Sequence, residues 1–197
     1  MKIERYKKPT SSFLSVDKDI ETIMGKMYEN PRLKRLLYRE GVNALDAENL
    51  TSEESTELIK KHYITSVPHT YADEESKILS KVIISFDNFH PSIKNPHFRD
   101  NCVTIDILCL FEQWQLANGS LRPFKIAGEI DSMLDGARLS GIGVLNFERA
   151  NYISTRDGYG GYSLVYRATH AEDDKEGFNN PADEERFLED IAEGLNG

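Results

Sequence analysis

An α+β fold, a two-layer sandwich with a helix on one face of a mixed or antiparallel sheet of about four strands, is what this sequence predicts. Three observations lead there. The stretch "FRDNCVTIDILCLFEQWQ" alternates so that Val103, Ile105, Ile107, Cys109 and Phe111 fill one face, while Thr104, Asp106, Leu108 and Leu110 fill the other. Downstream, "SLRPFKIAGEIDSMLDGARLSG" switches to helical periodicity, with Ile126, Ala127, Ile130, Met133, Leu134 and Ala137 in one stripe. Further alternating segments flank this pair, so strands and helix belong to one two-layer unit.

Taken in chain order, residues 1–80 form a helical N-terminal region, 81–170 the α+β core domain and 171–197 an acidic C-terminal arm. Ile20, Ile23, Met24 and Met27 recur at helical spacing, and Pro31 interrupts before "RLKRLLYRE" closes at Gly41. Thr51 with Glu54 makes a capping box for "SEESTELIKKH". "KVIISFD" reads as a strand with Val82, Ile84 and Phe86 on one face, followed by the loop "NFHPSIKNPHFRDN". The central helix is expected over Arg122–Leu139, capped by Ser120, with Pro123 tolerated in its first turn and Gly128 marking a close backbone approach. "GVLNFER" places Leu145 and Phe147 inward, and "YSLVYRATH" places Tyr162, Leu164, Tyr166 and Ala168 inward, with "RDGYGG" between them as the turn region. Asn180, Pro181 and Asp183 then start a helix whose stripe is Phe187, Leu188, Ile191, Ala192 and Leu195.

The charge is uneven. The 197 residues carry a net charge of −9, of which ten acids and two bases lie in 171–197. The body is nearly neutral, which argues against a nucleic-acid binder with its basic stripe. The bases of "PRLKRLLYR" read as a solvated helix face. No apolar run reaches the ~20 residues of a membrane span, and "MKIERYKKPT" has no apolar segment behind it, so a cytosolic chain is expected.

Signatures of chemistry are missing. The sequence contains no Gly-x-Ser-x-Gly elbow, phosphate loop, dinucleotide fingerprint or His-Glu-x-x-His. Cys102 and Cys109 lie seven apart on one strand, hence on opposite faces, where no disulfide can join them. No catalytic residue, cofactor or metal is assigned, and the chain is expected not to be an enzyme. Asp106 is the strongest candidate for a perturbed acid, but the reading favoured here is a less buried face or a subunit contact. Trp114 reads as a core or rim residue rather than a stacking platform, although aromatics are also favoured anchors at protein contacts. A metal-dependent nuclease, with Asp106, Glu112 and Asp131 as ligands, is the alternative of another class; Asp131 borders the helix's core stripe, which sets it apart from the other two.

The segment "FDNFHPSIKNPHFRDNCVTIDILCLFEQWQLANGSLRPFKIAGEIDSMLDGARLSGIGVLNFERAN", continuing to "GYSLVYRATHAEDDK", resembles neck proteins of tailed bacteriophages, the tail-terminator and tail-completion (head–tail connector) proteins. The likeness lies in the order of strands around one helix, in "V-x-I-D-I-x-C" running into Trp114, in "LRP-x-x-I-A-x-E-I-D" and in "L-x-G-I-G", and covers about residues 81–175. It implies a structural virion protein, assembled in the host cytoplasm, that forms a homo-oligomeric ring, a hexamer by preference or a dodecamer. Its implied partners are portal-side, neck or tail proteins, with DNA passing the lumen without sequence-specific binding and no membrane involved. It implies inter-subunit contacts at sheet edges and the 88–101 loop, with the acidic arm facing a neighbour or lining the channel. The implied contact residues are Asp106 and Trp114, with Asn88, Phe89, Asn95, Phe98 and Arg99 around the loop, and Asp183, Glu184 and Arg186 on the arm. An acidic lumen would repel DNA phosphates. Another phage structural adaptor with the same core is the runner-up.

Overall fold

The computed structural model describes residues 12–67, 78–91, 99–139 and 143–169. Three helices come first: α1 (Ser12–Glu29), α2 (Pro31–Tyr38) and α3 (Ser52–Lys60). The dipeptide strand β1 (Ile64–Thr65), then β2 (Ser80–Pro91) and β3 (Arg99–Leu110), lead into α4 (Arg122–Leu134). The dipeptide strand β4 (Arg138–Leu139), β5 (Gly143–Ser154) and β6 (Tyr159–Thr169) complete the described chain. The strands form one curled mixed sheet in the order β1-β2-β3-β6-β5-β4, parallel at β1–β2 and antiparallel elsewhere. The expected α+β class holds, with six strands in place of about four. The two extra strands are too short to carry an alternation of their own and exist because neighbours pair with them.

The local signals act as physical chemistry dictates. Asn30 caps α2, its Oδ1 accepting from the N–H groups of Arg32 and Leu33 at 2.9 and 3.0 Å, with Pro31 in the first turn. Thr51 and Glu54 form the full capping box of α3. Val103, Ile105, Ile107 and Cys109 are fully buried on the helix-facing side of the sheet, beside Val82 and Ile84 of β2 and Leu164 and Tyr166 of β6. Both cysteines are buried and free, and their opposite-face placement follows from the alternation.

One hydrophobic core runs through helices and sheet. It joins Ile23 and Met27 of α1, Leu33, Leu36 and Leu37 of α2 and Leu58 of α3 to the inner row of the sheet and to Ile126, Ile130 and Leu134 of α4. Each fully buried Leu or Ile is worth about 1.5–3 kcal/mol, against roughly 0–1 kcal/mol for an exposed ion pair such as Arg32–Glu129. The three leucines therefore fix α2 on the body. Of its bases, expected to form a solvated face, Arg32 is exposed, whereas Arg35 is half-buried and donates to the Ala47 carbonyl at 3.0 Å.

Several expectations are corrected. The central helix ends at Leu134, five residues early, because Asp135 turns extended and Gly136 takes a left-handed φ of 73°. Ala137 thus leaves the helical stripe. Ser120 does not cap α4: Leu121 stands at that position without a side-chain bond, and the Ser120 hydroxyl donates to the Ala117 carbonyl. Gly128 is exposed, and a Cβ there would meet nothing within 4 Å. Phe111 is not core. The chain leaves the sheet at Leu110 and turns through a 3-10 segment, Phe111–Gln113, which puts Phe111 45% in solvent. Phe147 keeps its inward face but stays 45% exposed at the sheet's margin.

The α2–α3 junction sets an acid sensitivity. Glu54 accepts from the Thr51 N–H at 2.9 Å and takes both Arg39 Nη groups at 2.7 and 2.9 Å. The Thr51 bond first, and then Arg39, hold its carboxyl below the ordinary glutamate range. Lys61, and then the Tyr38 hydroxyl, do the same for Glu57. With folded pKa values below the unfolded ones, both groups stabilise the fold above the unfolded glutamate pKa of about 4.3. That stabilisation is lost as pH falls through the folded values. Chemical-denaturation midpoints measured from pH 7 to 3 should fall more steeply in the parent than in Glu54→Gln; parallel curves would refute the linkage.

Candidate partner-contact face

The structure separates the residues singled out from sequence. Asp106 lies half-buried in the outer row of the sheet, opposite Ile83 and Ser163. Asn88 sits at the irregularity of β2 with φ 56°, its Nδ2 directed at Cys102 Sγ at 3.8 Å, and its carbonyl lies 2.8 Å from His90 Nδ1. Phe89 is half-buried beside it, and Arg99 opens β3 opposite Pro91. Asn95, Phe98, Asp183, Glu184 and Arg186 lie outside the described residues. The nuclease triad does not converge: Asp131 accepts from the Tyr166 hydroxyl at 2.9 Å on the helix side, Asp106 belongs to the other face, and Glu112 is exposed in the 3-10 turn.

Trp114 does become the centre of something. Leu110 donates its N–H to the Leu79 carbonyl at 2.9 Å and Phe111 to the Gly158 carbonyl at 3.0 Å, so the exit from the sheet is pinned on both sides. The indole Nε1–H then donates back to the Cys109 carbonyl at 3.1 Å, and the Trp114 carbonyl accepts the Arg122 N–H at 2.7 Å, where α4 begins. Around this fixed indole run tilted and edge-on rings: Phe111–Trp114 at 5.3 Å, Trp114–Tyr152 at 6.4 Å, Tyr152–Tyr162 at 6.1 Å and Tyr162–Phe124 at 4.6 Å. Phe124 is 53% exposed and Tyr152 58%. Gly160 makes the assembly possible, since a Cβ there would stand 2.6 Å from the Phe111 ring and 3.1 Å from that of Trp114.

The energetics of the row split between folding and solvent. Aromatic pairs add about 0.5–1.5 kcal/mol each beyond burial, which holds the rings in order. Yet about half of Phe111, Phe124 and Tyr152 stays in water, leaving burial energy unused by folding and open to a partner. Sequence reading found Trp114, and it placed Tyr162 on the right face, but it missed Phe111, Phe124 and Tyr152 as surface groups. Phe124 carried a usable signal: it stands two residues before Ile126, off the Ile126–Ile130–Leu134 stripe, and so had to face outward.

A buried cation holds the row to the rest of the body. Arg122 is fully buried, and its guanidinium donates to four backbone carbonyls: Gln113 at 2.8 Å, Arg39 at 2.9 Å, Gly41 at 2.7 Å, and Leu36. Burial lowers its pKa from the ordinary arginine value.

Burial also pushes the Cys109 thiol up to about 11. Because a thiolate is the reactive form, a thiol reagent should not modify Cys109 at neutral pH until denaturant opens the sheet, and burial alone should shield Cys102. Rapid labelling of the native chain would contradict the packing.

Among the described residues, no group of three or more His, Cys, Asp or Glu side chains is placed to hold a metal ion. No helix among them is long and apolar enough to cross a membrane. No curated protein matches the chain. The YomW family model matches residues 30–168, a span that opens at the Asn30 cap of α2, takes in the whole aromatic row and ends in β6. This chain therefore belongs to the YomW family, a phage-derived family.

Proposed function

We propose that the chain is a structural virion protein that assembles as a ring at the head–tail junction or tail top of a tailed phage, joins head to tail and lets DNA pass. The observation that carries the reading is the ordered, half-exposed aromatic row from Phe111 to Phe124, mounted on a rigid sheet and fitted to a protein partner. The phage-derived family supports the setting. The resemblance to neck proteins supplies the ring, with a hexamer favoured and portal-side or tail proteins as neighbours. The net charge of −9 suits a subunit beside a DNA passage that must not retain the duplex.

The test is direct. Mass spectrometry of purified virions should find the chain in multiple copies per particle, and native mass spectrometry of the concentrated protein should give a closed ring. Phe124→Glu, which alters a half-exposed side chain, should cost stability no more than the roughly 0.5–1.5 kcal/mol of its pair with Tyr162 and reduce incorporation into virions at least tenfold. Absence of the chain from purified virions would overturn the proposal.

A further inference from the structure

Among the described residues the sheet has two long open edges, and they match. On one side β1 covers only Val82 and Ile83 of β2. On the other, β4 covers only Gly143 and Val144 of β5, with Ala137 bonding Leu145 and the Asp135 carboxylate accepting the Phe147 N–H at 2.8 Å. Beyond these points no described strand pairs with the outward side of β2 from Ile84, or of β5 from Glu148 to Ser154. Every residue of β5 from Asn146 to Tyr152 is exposed. Edges of this kind are templates for strand addition, and proteins usually protect them.

Direction and parity fit a second copy of this chain. Three antiparallel steps separate β2 from β5, so the two strands run in opposite senses. The β2 of a next copy, laid beside β5, would extend the sheet without breaking the alternation. The Thr155 N–H donates to the Tyr159 carbonyl at 2.8 Å, which turns the amides of Ser154, Tyr152 and Ala150 toward the open edge. On β2 the Val82 N–H donates outward to the Tyr63 carbonyl at 2.9 Å, so Ile84 and Phe86 present theirs outward too. Both outward sets carry side chains on the helix-facing side of the sheet, which antiparallel partners require. The junction would seat Ile84 and Phe86 beside Ala150 and the exposed Tyr152. On the other face it would set Ser85 and Asp87 against Arg149 and Asn151, a polar row with opposite charges.

We infer that copies of this chain join head to tail, the β5 edge of one pairing antiparallel with the β2 edge of the next. Such a heterologous contact repeats until it closes. The inference shares with the ring reading only this head-to-tail sense.

Variants with one introduced cysteine test it, the native Cys102 and Cys109 staying buried. Ser85 and the pair Asn151 and Ile153 occupy the closely spaced, non-hydrogen-bonded positions of the expected junction, where side chains approach to disulfide distance. Under mild oxidation of the full chain, Ser85→Cys mixed with Asn151→Cys or Ile153→Cys should yield covalent dimers, while each variant alone stays monomeric under denaturing electrophoresis. Failure of both mixtures to cross-link, or equal cross-linking of Asn151→Cys alone through a two-fold β5–β5 contact, would overturn the inference. Ala150→Pro removes an outward N–H and spares the β5–β6 ladder. Added to the Asn151→Cys or Ile153→Cys partner that cross-links, it should cut mixed dimers at least tenfold with little change in unfolding midpoint; undiminished dimers would also overturn the inference. Mixed dimers without closed rings in native mass spectrometry would leave the edge junction standing and remove the ring, whereas rings without mixed dimers would do the reverse.

Discussion

Replacing Arg122 with methionine is expected to lower the free energy of unfolding by about 3–5 kcal/mol, the cost of breaking a buried charged network from one side. Exchanging a buried ion pair for apolar side chains is often neutral, because both partners leave together. Here the acceptors are the backbone carbonyls of Leu36, Arg39, Gly41 and Gln113, which no side-chain substitution can remove. Each buried carbonyl left without a donor costs roughly 1–3 kcal/mol. Gly41 is exposed, so water can serve part of that end, and the total falls short of four full penalties. Three of the carbonyls cluster where α2 ends, at the partially negative pole of a helix, and there the guanidinium supplies the cation. Arg122→Lys should recover only part of the loss, since a point charge cannot span the fork of acceptors. Urea unfolding followed by the fluorescence of the single tryptophan measures all three proteins. A methionine variant within about 1 kcal/mol of the parent would mean that leucine packing alone holds α2, and that the clamp is incidental.

The same clamp shows why some of this molecule could be read in the sequence and some could not. The β3 row from Val103 to Cys109 declared itself through alternation, the start of α2 through the break at Pro31, and α3 through the Thr51–Glu54 box, because those signals are local and their causes lie within a few residues. The apolar stripe of Ile126, Ile130 and Leu134 likewise located α4 on the sheet. Nothing local says that Arg122 will be buried, since that depends on carbonyls more than 80 residues away in the chain. The dipeptide strands β1 and β4 have the same non-local origin.

The aromatic row was half legible for a dimensional reason. At about 1.5 Å per residue the 13-residue α4 spans roughly 20 Å, whereas a 12-residue strand such as β5 spans roughly 40 Å. One helix cannot cover the sheet it packs on. Alternation correctly puts Tyr162 on the inner face, but which inner-face residues remain uncovered follows from where the helix starts, and Phe124 in its first turn marks that limit. Phe111 was misplaced because the pattern of β3 continues one residue past the point where the backbone leaves the sheet. Glycine told the opposite of its usual story. Gly128 in the helix meets nothing, while the adjacent pair Gly160 and Gly161, which looked like turn punctuation, are both strand residues under close contact.

That pair gives the second large effect, and splits stability from surface. Gly161→Ala would place a Cβ 1.9 Å from the Ile107 carbonyl oxygen and 2.9 Å from its carbon. The obstacle is the backbone of β3, facing Gly161 across the ladder, and no side-chain rotation relieves it. Overpacking a core by a methylene costs about 1–3 kcal/mol and occasionally more. A clash with a paired strand belongs at the upper end, so a loss of about 3 kcal/mol or more is expected. At Gly160 the obstacles are the exposed far end of the Phe111 ring at 2.6 Å and the Trp114 ring at 3.1 Å, and the Phe111 ring can swing into solvent. The alanine there also gains about 0.4–1 kcal/mol by restricting the unfolded chain, so Gly160→Ala should stay within roughly 1 kcal/mol of the parent. Its signature is instead a changed near-ultraviolet circular dichroism spectrum and weaker assembly, because the row loses its Phe111–Trp114 contact. Equal midpoints for Gly161→Ala and the parent would refute the close approach of β3 and β6. If Gly160→Ala altered the aromatic spectrum and left assembly intact, the row would be a structural feature of the sheet's rim and the contact surface would have to lie elsewhere, with the open edges of β2 and β5 next in line.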